Sequence, residues 1–235
     1  CIISDTIQIF EPGFFGSTIL NQDVSCNGLN DGSASILLQG TSTPAGDVST
    51  LSYCQSNPGT NTFSNIKDVQ LIGDNNHINN NTSGQCDSYE DYTFMHADVT
   101  EGQSYSVSIS LGDCDGYNFP SGGYVYIDWN IDGDFLDPGE EIGSIPFGDT
   151  LANLNVNIPF TVPINGIYGV TRMRVVSQFS SLSNISTISP CDIGIYNPST
   201  SSYSEPWYGS TEDYSIVING TSILATYLWS NGQTT

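Results

Sequence analysis

The sequence predicts an all-β protein built as a β-sandwich, and three observations lead to that fold class. Helical periodicity is almost absent, and short runs alternate between apolar and polar residues. Clusters of Gly, Pro, Asn and Asp separate the runs, with 24 glycines and 11 prolines dispersed as turn residues. The predicted strands are TIQIF (6–10), SASILL (33–38), YSVSISL (105–111), YVYIDW (124–129), LNVNIPFTV (154–162), TRMRVV (171–176) and YSIVI (214–218).

The charge of the chain is strongly one-sided. Its 235 residues carry 25 Asp and Glu against 3 Lys and Arg, for a formal net charge of −22. A field of that sign repels nucleic acid and anionic membrane surfaces, so neither is expected as a partner. No apolar run approaches the roughly 20 residues that span a bilayer, so no membrane insertion is predicted. Lys67, Arg172 and Arg174 are too few to neutralise the carboxylates, which must be solvated or gathered by metal cations.

The cysteines indicate disulfides in an oxidising compartment. No CxxC pair occurs, and neither His77 nor His96 lies in zinc-ligand spacing with a cysteine. An even number of cysteines in a chain rich in Ser, Thr and Asn favours a secreted protein. Sequence does not choose among the pairings, although a local Cys1–Cys26 bridge is preferred. The candidates are Cys1, Cys26, Cys54, Cys86, Cys114 and Cys191.

The segment DWNIDGDFLDPGEE (128–141) predicts a calcium site. Hard oxygen ligands alternate along its first half, and Gly133 stands where an EF-hand loop needs its sharp turn. Position 12 of an EF-hand would be Gly139 and not Glu, so the loop is not an EF-hand. The alternative is an exposed acidic turn whose side chains splay into water. The predicted Ca²⁺ ligands are Asp128, Asn130, Asp132, Asp134, Asp137, Glu140 and Glu141.

Other charged residues suggest weaker sites. Asp91, Glu212 and Asp213 are candidates for a second metal, although chance clustering is common in so acidic a chain. Arg172 and Arg174 are two residues apart on a predicted strand and therefore point to the same face. We expect them to pair with carboxylates such as Glu212 or Asp213; binding of an anionic ligand is the alternative.

No enzyme motif is present, and the sequence predicts a protein without catalytic activity. GxSxG, HExxH, P-loop and GxGxxG patterns are all missing. His77 stands in a predicted Asn-rich loop, and His96 has no evident nucleophile beside it. A carboxylate pair of the glycosidase kind is the alternative left open. Candidate ligand contacts are the loop aromatics Tyr203, Trp207 and Tyr208, which could stack on sugars or anchor a partner; they could equally cover the end of the sandwich.

Two distant segments resemble the halves of one SprB-type repeat. They are DVSCNGLNDGSASILLQG (23–40) and ATYLWSNGQTT (225–235). SprB-type repeats are short Ig-like modules of giant adhesins in gliding Bacteroidetes, so the resemblance implies a domain inserted into one repeat, with Trp229 in the core of the repeat. The implied divisions are 1–22 for the end of a preceding repeat and linker, 23–48 for the first part of the repeat, 49–221 for the insert and 222–235 for the continuation.

The insert is similar to the GEVED domain of secreted Bacteroidetes proteins. The resemblance rests on SYC (52–54), NNTSGQCDSYEDYT (80–93), YVYIDWNIDGDFLDPGEE (124–141), GVTRMRVV (169–176), PC (190–191) and STEDYSIVI (210–218). The naming motif is altered to GSTEDY (209–214), which keeps Glu212, Asp213 and Tyr214. The resemblance implies a jelly-roll or Ig-like β-sandwich that accompanies catalytic or adhesive modules.

Together the acidic loop and these resemblances predict a non-catalytic, calcium-stabilised segment of a giant secreted cell-surface adhesin or extracellular filament. Its partners would be other copies or repeats of the same protein, or a cell-surface or glycan target. The alternatives are a calcium-dependent carbohydrate-binding module and an accessory domain of a secreted peptidase. Thr6 and Thr150 fit the short acidic O-glycosylation motif of Bacteroidetes, in Asp5-Thr6-Ile7 and Asp149-Thr150-Leu151.

Overall fold

The computed structural model describes residues 15–22, 33–40, 51–82, 86–114, 116, 119–148, 154–179, 189–193, 196–199, 202–203 and 208–220. These residues form strands and no helix. The described part of the chain therefore contains no helix that is long and apolar enough to cross a membrane. The strands are β1 (Phe15–Gln22), β2 (Ser33–Gly40), β3 (Asn65–Ile72), β4 (His77–Asn81), β5 (Tyr89–Thr100), β6 (Ser104–Gly112), β7 (Ser121–Ile127), β8 (Glu141–Gly148), β9 (Leu154–Thr161), β10 (Gly169–Phe179), β11 (Tyr196–Asn197), β12 (Ser202–Tyr203) and β13 (Gly209–Asn219).

The chain divides into two compact units, and the smaller one contains β1 and β2. This unit comprises Cys1–Thr43 and Gly220–Thr235. The two strands pair antiparallel from Phe15↔Gly40 to Gln22↔Ser33. Residues 15–22, assigned from sequence to a preceding repeat and linker, thus form a strand beside the predicted strand 33–38. The predicted strand 6–10 and Trp229 lie outside the described residues.

The larger unit, Pro44–Asn219, is a β-sandwich of two sheets, as the alternating runs predicted. One sheet has five strands in the order β5-β13-β10-β7-β8, and the other has four in the order β4-β3-β6-β9. Neighbouring strands are antiparallel, except that β13 and β5 run parallel. Strands β11 and β12 form a separate two-stranded ladder. The parallel pair places the beginning of β5 beside the beginning of β13.

The core lies between the two sheets and follows from the period-2 alternation of the strands. On β6, Val107, Ile109 and Leu111 are at most 2 % exposed, while the residues between them are partly accessible. The opposite sheet contributes Val125, Ile127, Met173, Val175, Tyr214, Ile216 and Ile218 to the same cluster. Full burial of each such aliphatic side chain contributes about 1.5–3 kcal/mol, and this burial holds the sheets together.

Strand β4 corrects one expectation. The Asn-rich segment around His77 was predicted to be a loop, but HINNN (77–81) pairs with β3 from Ile72↔His77 to Asp68↔Asn81. Its inward residues are Ile78 and Asn80, which are 1 % and 6 % exposed. Asn has a low strand propensity, and burial of Ile78 beside β3 overrides it.

Two disulfides occur among the described residues, Cys54–Cys191 and Cys86–Cys114. They fit the predicted oxidising, extracellular environment. Cys54–Cys191 joins positions 137 residues apart in sequence, so it closes most of the larger unit into one loop. The preferred Cys1–Cys26 bridge lies outside the described residues.

Candidate metal site

The candidate metal site is the loop 128–140 between β7 and β8. Alternate residues of this loop face inward: Trp129, Ile131 and Phe135 are 5 %, 7 % and 3 % exposed. The Phe135 ring lies 5.1 Å from that of Tyr53 and 6.1 Å from that of Tyr126. Burial of these apolar side chains fixes the loop to the sheet, and the polar residues between them project outward.

Asp128 organises the beginning of the loop. Its Oδ1 accepts hydrogen bonds from the backbone N–H of Ile131 at 2.7 Å and of Asp132 at 3.3 Å. Its Oδ2 accepts from the N–H of Gly133 at 3.0 Å and from the Tyr53 hydroxyl at 2.7 Å. The side chain is fully buried, and desolvation by burial raises its pKa. Asp128 therefore caps the turn, with donors on both oxygens.

The backbone of the loop adopts conformations that few residues tolerate. Ile131 has φ +56°, which is rare for a β-branched residue, and Gly133 has φ +98°. Such strain persists only where surrounding contacts impose it, and it is frequent at ligand-binding loops. Here the Asp128 side chain and the buried Trp129 and Phe135 impose the turn.

Three carboxylates converge on the outer side of this turn. The ligand oxygens of Asp132, Asp134 and Asp137 lie within 4.8 Å of one another, and in the described part of the chain no other group of three acidic, His or Cys residues meets that limit. The Asn130 amide donates to Asp132 Oδ2 at 2.9 Å and to Asp137 Oδ2 at 2.5 Å. Three carboxylate groups thus surround one point, with the Asn130 NH2 group donating to two of them, and carboxylate oxygens are ligands suited to Ca²⁺.

Glu140 connects the two ends of the loop. Its Oε1 accepts from Trp129 N–H at 3.1 Å, and its Oε2 accepts from Asp137 N–H at 3.0 Å. Only 1 % of the residue is exposed, and burial raises the pKa of the carboxyl to about 7. Of the seven predicted ligands, Asp128 and Glu140 therefore bind the loop backbone. Glu141 lies exposed at the start of β8.

The structure brings two residues of the predicted second metal set side by side, Asp91 on β5 and Asp213 on β13, but it does not bring the third onto the same face. Glu212 and Asp213 are adjacent on β13 and point to opposite faces. Asp213 is fully buried between two arginines: Arg174 donates to it from Nε at 2.7 Å and from Nη2 at 2.8 Å, and Arg172 Nη1 lies 3.4 Å away. Asp91 accepts hydrogen bonds from Thr93. The expected pairing of both arginines with a carboxylate is confirmed, at Asp213.

The predicted aromatic contacts are only partly described. The Tyr208 ring packs edge-on against Phe63 at 4.7 Å and lies 6.0 Å from Phe179, so it covers part of the sandwich. Tyr203 pairs with Tyr196 in the β11–β12 ladder. Trp207 and the predicted glycosylation residues Thr6 and Thr150 lie outside the described residues.

A cavity of about 330 Å³ lies beside the loop, and sequence reasoning missed it. The Arg172 guanidinium covers the Tyr53 ring at 4.2 Å, and the Tyr53 hydroxyl reaches Asp128. Residues distant in sequence form the walls, so no local motif signals the cavity. The lining residues are Tyr53, Cys54, Gln55, Ser56, Asn57, Tyr89, Arg172 and Arg174.

The acidic loop and the Arg–Asp213 cluster lie in one segment that is similar to a known family. Residues 123–217 match the GEVED domain. The match begins in β7, includes the whole acidic loop and ends in β13, and it supports the resemblance drawn from sequence for this segment. No curated protein matches the chain. The GEVED match, the two-sheet fold and the two disulfides fit an extracellular β-sandwich domain.

Proposed function

We propose that this chain is a non-catalytic, calcium-stabilised structural or adhesive segment of a larger secreted cell-surface protein. The observation that carries the proposal is the convergence of Asp132, Asp134 and Asp137 on one strained turn. The loop has the oxygen donors of a calcium site and lacks a nucleophile or a general base held against one.

Electrostatics favours a bound cation at this turn. Two carboxylates about 5 Å apart repel by roughly 3 kcal/mol at an effective dielectric of 20, and here three lie that close. Both arginines of the protein contact Asp213, so neither supplies a counter-charge to the loop. Rotation of the Asn130 amide would replace its Nδ2 with Oδ1 at the same point and add a fourth oxygen ligand.

Calcium would stabilise the folded domain through this loop. A ligand that binds only the folded state adds about 2.7 kcal/mol when its concentration is 100 times its Kd. The loop connects β7 to β8 at the edge of the five-stranded sheet, so an ion there would resist separation of these strands. With the Cys54–Cys191 bridge, the domain would suit a stalk or fibre under load.

The adhesive role rests on the sequence resemblance to SprB-type repeats of Bacteroidetes surface proteins. In that setting the domain would be an insert of an Ig-like repeat and would contact neighbouring copies or a cell-surface glycan. The two disulfides and the acidic composition support an extracellular place for it.

Thermal unfolding of the oxidised protein in millimolar calcium and in EDTA tests the calcium proposal. Asp132→Ala should lower the melting temperature in calcium to the value in chelator, because it removes one of three converging carboxylates. In EDTA the variant should melt no lower than the parent, since it relieves repulsion. Asp87→Asn is the matched control: it removes one exposed carboxylate elsewhere and should keep the full calcium effect. An undiminished calcium effect in Asp132→Ala would exclude the loop as the site.

The cavity beside the loop favours a second candidate function, binding of a neutral sugar. Tyr53 and Tyr89 offer aromatic surface, and Gln55, Asn57 and Arg172 offer hydrogen-bonding groups. Because Tyr53 donates to Asp128, calcium in the loop would also order one cavity wall. Calcium-dependent binding to an array of neutral glycans, lost in Arg172→Gln, would favour this candidate over a purely structural domain.

A further inference from the structure

The same tripeptide occurs on two strands that lie side by side. Glu90-Asp91-Tyr92 is on β5 and Glu212-Asp213-Tyr214 is on β13. The parallel pairing is in register, with Glu90 beside Glu212, Asp91 beside Asp213 and Tyr92 beside Tyr214. The tyrosine rings are stacked with centroids 5.6 Å apart. Like charges therefore adjoin each other at two successive positions of the ladder, which is unfavourable unless each pair is neutralised.

The two faces of this ladder differ in their counter-charges. On the aspartate face, Arg172 and Arg174 both contact Asp213. The third basic residue of the chain, Lys67, has its side chain against Gly112 on β6. The glutamates lie on the other face, where Thr82 and the two tyrosines donate hydrogen bonds to them. The basic side chains thus lie elsewhere, although Glu212 is fully buried and Glu90 is 8 % exposed.

The hydrogen bonds of the glutamate pair leave one oxygen unmatched. Glu212 Oε2 accepts from the Tyr214 hydroxyl at 2.5 Å, and Oε1 lies 3.2 Å from the Thr82 hydroxyl, whose one proton is shared with the Ile66 carbonyl at 2.9 Å. Glu90 Oε1 accepts from the Tyr92 hydroxyl at 2.7 Å. Glu90 Oε2 is buried and has no donor among the described residues. Glu90 and Glu212 are paired neighbours on β5 and β13, and two ionised carboxylates have only acceptors, so a hydrogen bond between these groups requires a proton on one of them.

We propose that Glu90 and Glu212 form a proton-binding site that holds one shared proton at neutral pH. The proton resides on Glu212 and is donated to Glu90 Oε2, so it supplies the missing donor and removes one of two buried charges. Two acidic side chains held this close cannot readily both ionise, and sharing one proton is the general solution for such a pair. The site is separate from the acidic loop and does not depend on the proposed calcium.

The surroundings of the pair set the direction of its pH dependence. The titratable groups on its face are the two glutamates, Tyr92 and Tyr214; Asn80 and Thr82 approach from the opposite sheet and do not titrate. Burial raises the pKa of the Glu212 carboxyl to about 8, and it raises the pKa of both phenols, which stay protonated as donors. The unfolded chain releases this proton near its ordinary pKa of about 4.3, while the folded chain retains it. Stability from the pair is therefore fully present below about pH 4 and decreases as pH rises to about 8.

Thermal unfolding of the full chain between pH 5 and 9 in excess EDTA tests the proposal. Glu212→Gln places an amide N–H where the proton would be, so the difference in melting temperature, variant minus parent, should increase steadily with pH. Asp87→Asn removes an exposed carboxylate, and its melting temperature should change with pH in parallel with that of the parent. Glu140, whose pKa is also raised, is present in all three proteins and so does not affect the differences. A Glu212→Gln profile parallel to the parent's would overturn the proposal.

Glu90→Gln is the second variant, because its amide can donate to Glu212 from the other side. The melting temperature of this variant minus that of the parent should also increase with pH. The parent offers a measurement without substitution: NMR of protein labelled with ¹³C at the glutamate carboxyl carbons. One carboxyl pair should titrate as a coupled unit with one proton retained at pH 7. Full ionisation of every glutamate at pH 7, or a shift of the pair on addition of Na⁺ or Ca²⁺ in place of a proton, would contradict proton sharing.

Discussion

Arg174 is a charged residue whose large side chain is buried in the domain. Besides its two bonds to Asp213, its Nη1 donates to the Cys54 carbonyl at 2.9 Å and to the Pro190 carbonyl at 2.6 Å. Its guanidinium lies 5.1 Å from the centre of the Phe135 ring. One planar donor group thus connects β10, β13 and both chain segments at the Cys54–Cys191 bridge, a task that suits arginine better than lysine.

Arg174→Met should lower the free energy of unfolding by about 3–5 kcal/mol, because it leaves Asp213 buried without its main partner. Arg172→Met is the matched control: that side chain is 20 % exposed and makes a single 3.4 Å contact with Asp213, so its loss should be clearly smaller. Urea unfolding at pH 7 measures both. An equal decrease in the free energy of unfolding in the two variants would contradict a larger contribution from the buried Arg174.

At the scale of residues, the sequence was sufficient to predict which side chains come together when they belong to one segment or one strand. The carboxylates of the acidic loop were predictable because Asp132, Asp134 and Asp137 are close in sequence. The shared face of the two arginines followed from the period of a strand, and Asp213 was one of the two carboxylates expected to pair with them. The contact of Glu90 with Glu212 was not predictable, because it depends on which strands are neighbours and in which direction they run.

At the scale of elements, the contact between β7 and β10 depends on the absence of a side chain. A Cβ atom on Gly123 would lie 1.9 Å from the Val176 carbonyl oxygen, far inside van der Waals contact. Gly123 and its neighbours pair with the end of β10, from Ser177↔Gly123 to Phe179↔Ser121. The glycine is therefore required for the close approach of the two backbones.

Gly123→Ala should destabilise the domain by at least about 2 kcal/mol, since β7 or β10 must shift to admit the methyl group. Ser144→Ala, at an exposed position of the neighbouring β8, should have an effect within about 0.5 kcal/mol. The midpoints of urea unfolding compare the two. A midpoint for Gly123→Ala close to that of Ser144→Ala would contradict the described packing.

Strands with regular apolar alternation were predicted from sequence, and strands without it were not. Segments 105–111, 154–162 and 214–218 correspond to β6, β9 and β13. Strand β4 was missed because three of its five residues are asparagine, and β8 because Gly143 and Pro146 interrupt its pattern. The order of strands in the two sheets, and the one parallel pair, depend on long-range packing that a local pattern does not contain.

At the scale of the whole molecule, charge is the dominant feature. The formal net charge of −22 is opposed by three basic residues, and two of these neutralise one buried aspartate. The remaining acidic clusters need other partners. We propose that water solvates the dispersed carboxylates, that a shared proton neutralises one charge of the glutamate pair, and that calcium neutralises the loop. On this proposal the way in which each group of carboxylates is accommodated follows from its burial and spacing.

The most direct test of this account is calorimetric titration of calcium into the chelator-treated, oxidised protein. The account predicts a saturable isotherm in the parent that persists in Asp87→Asn and disappears in the double variant Asp132→Ala/Asp134→Ala. Absence of binding heat in the parent at several temperatures, or an isotherm unchanged in the double variant, would contradict calcium binding at the loop.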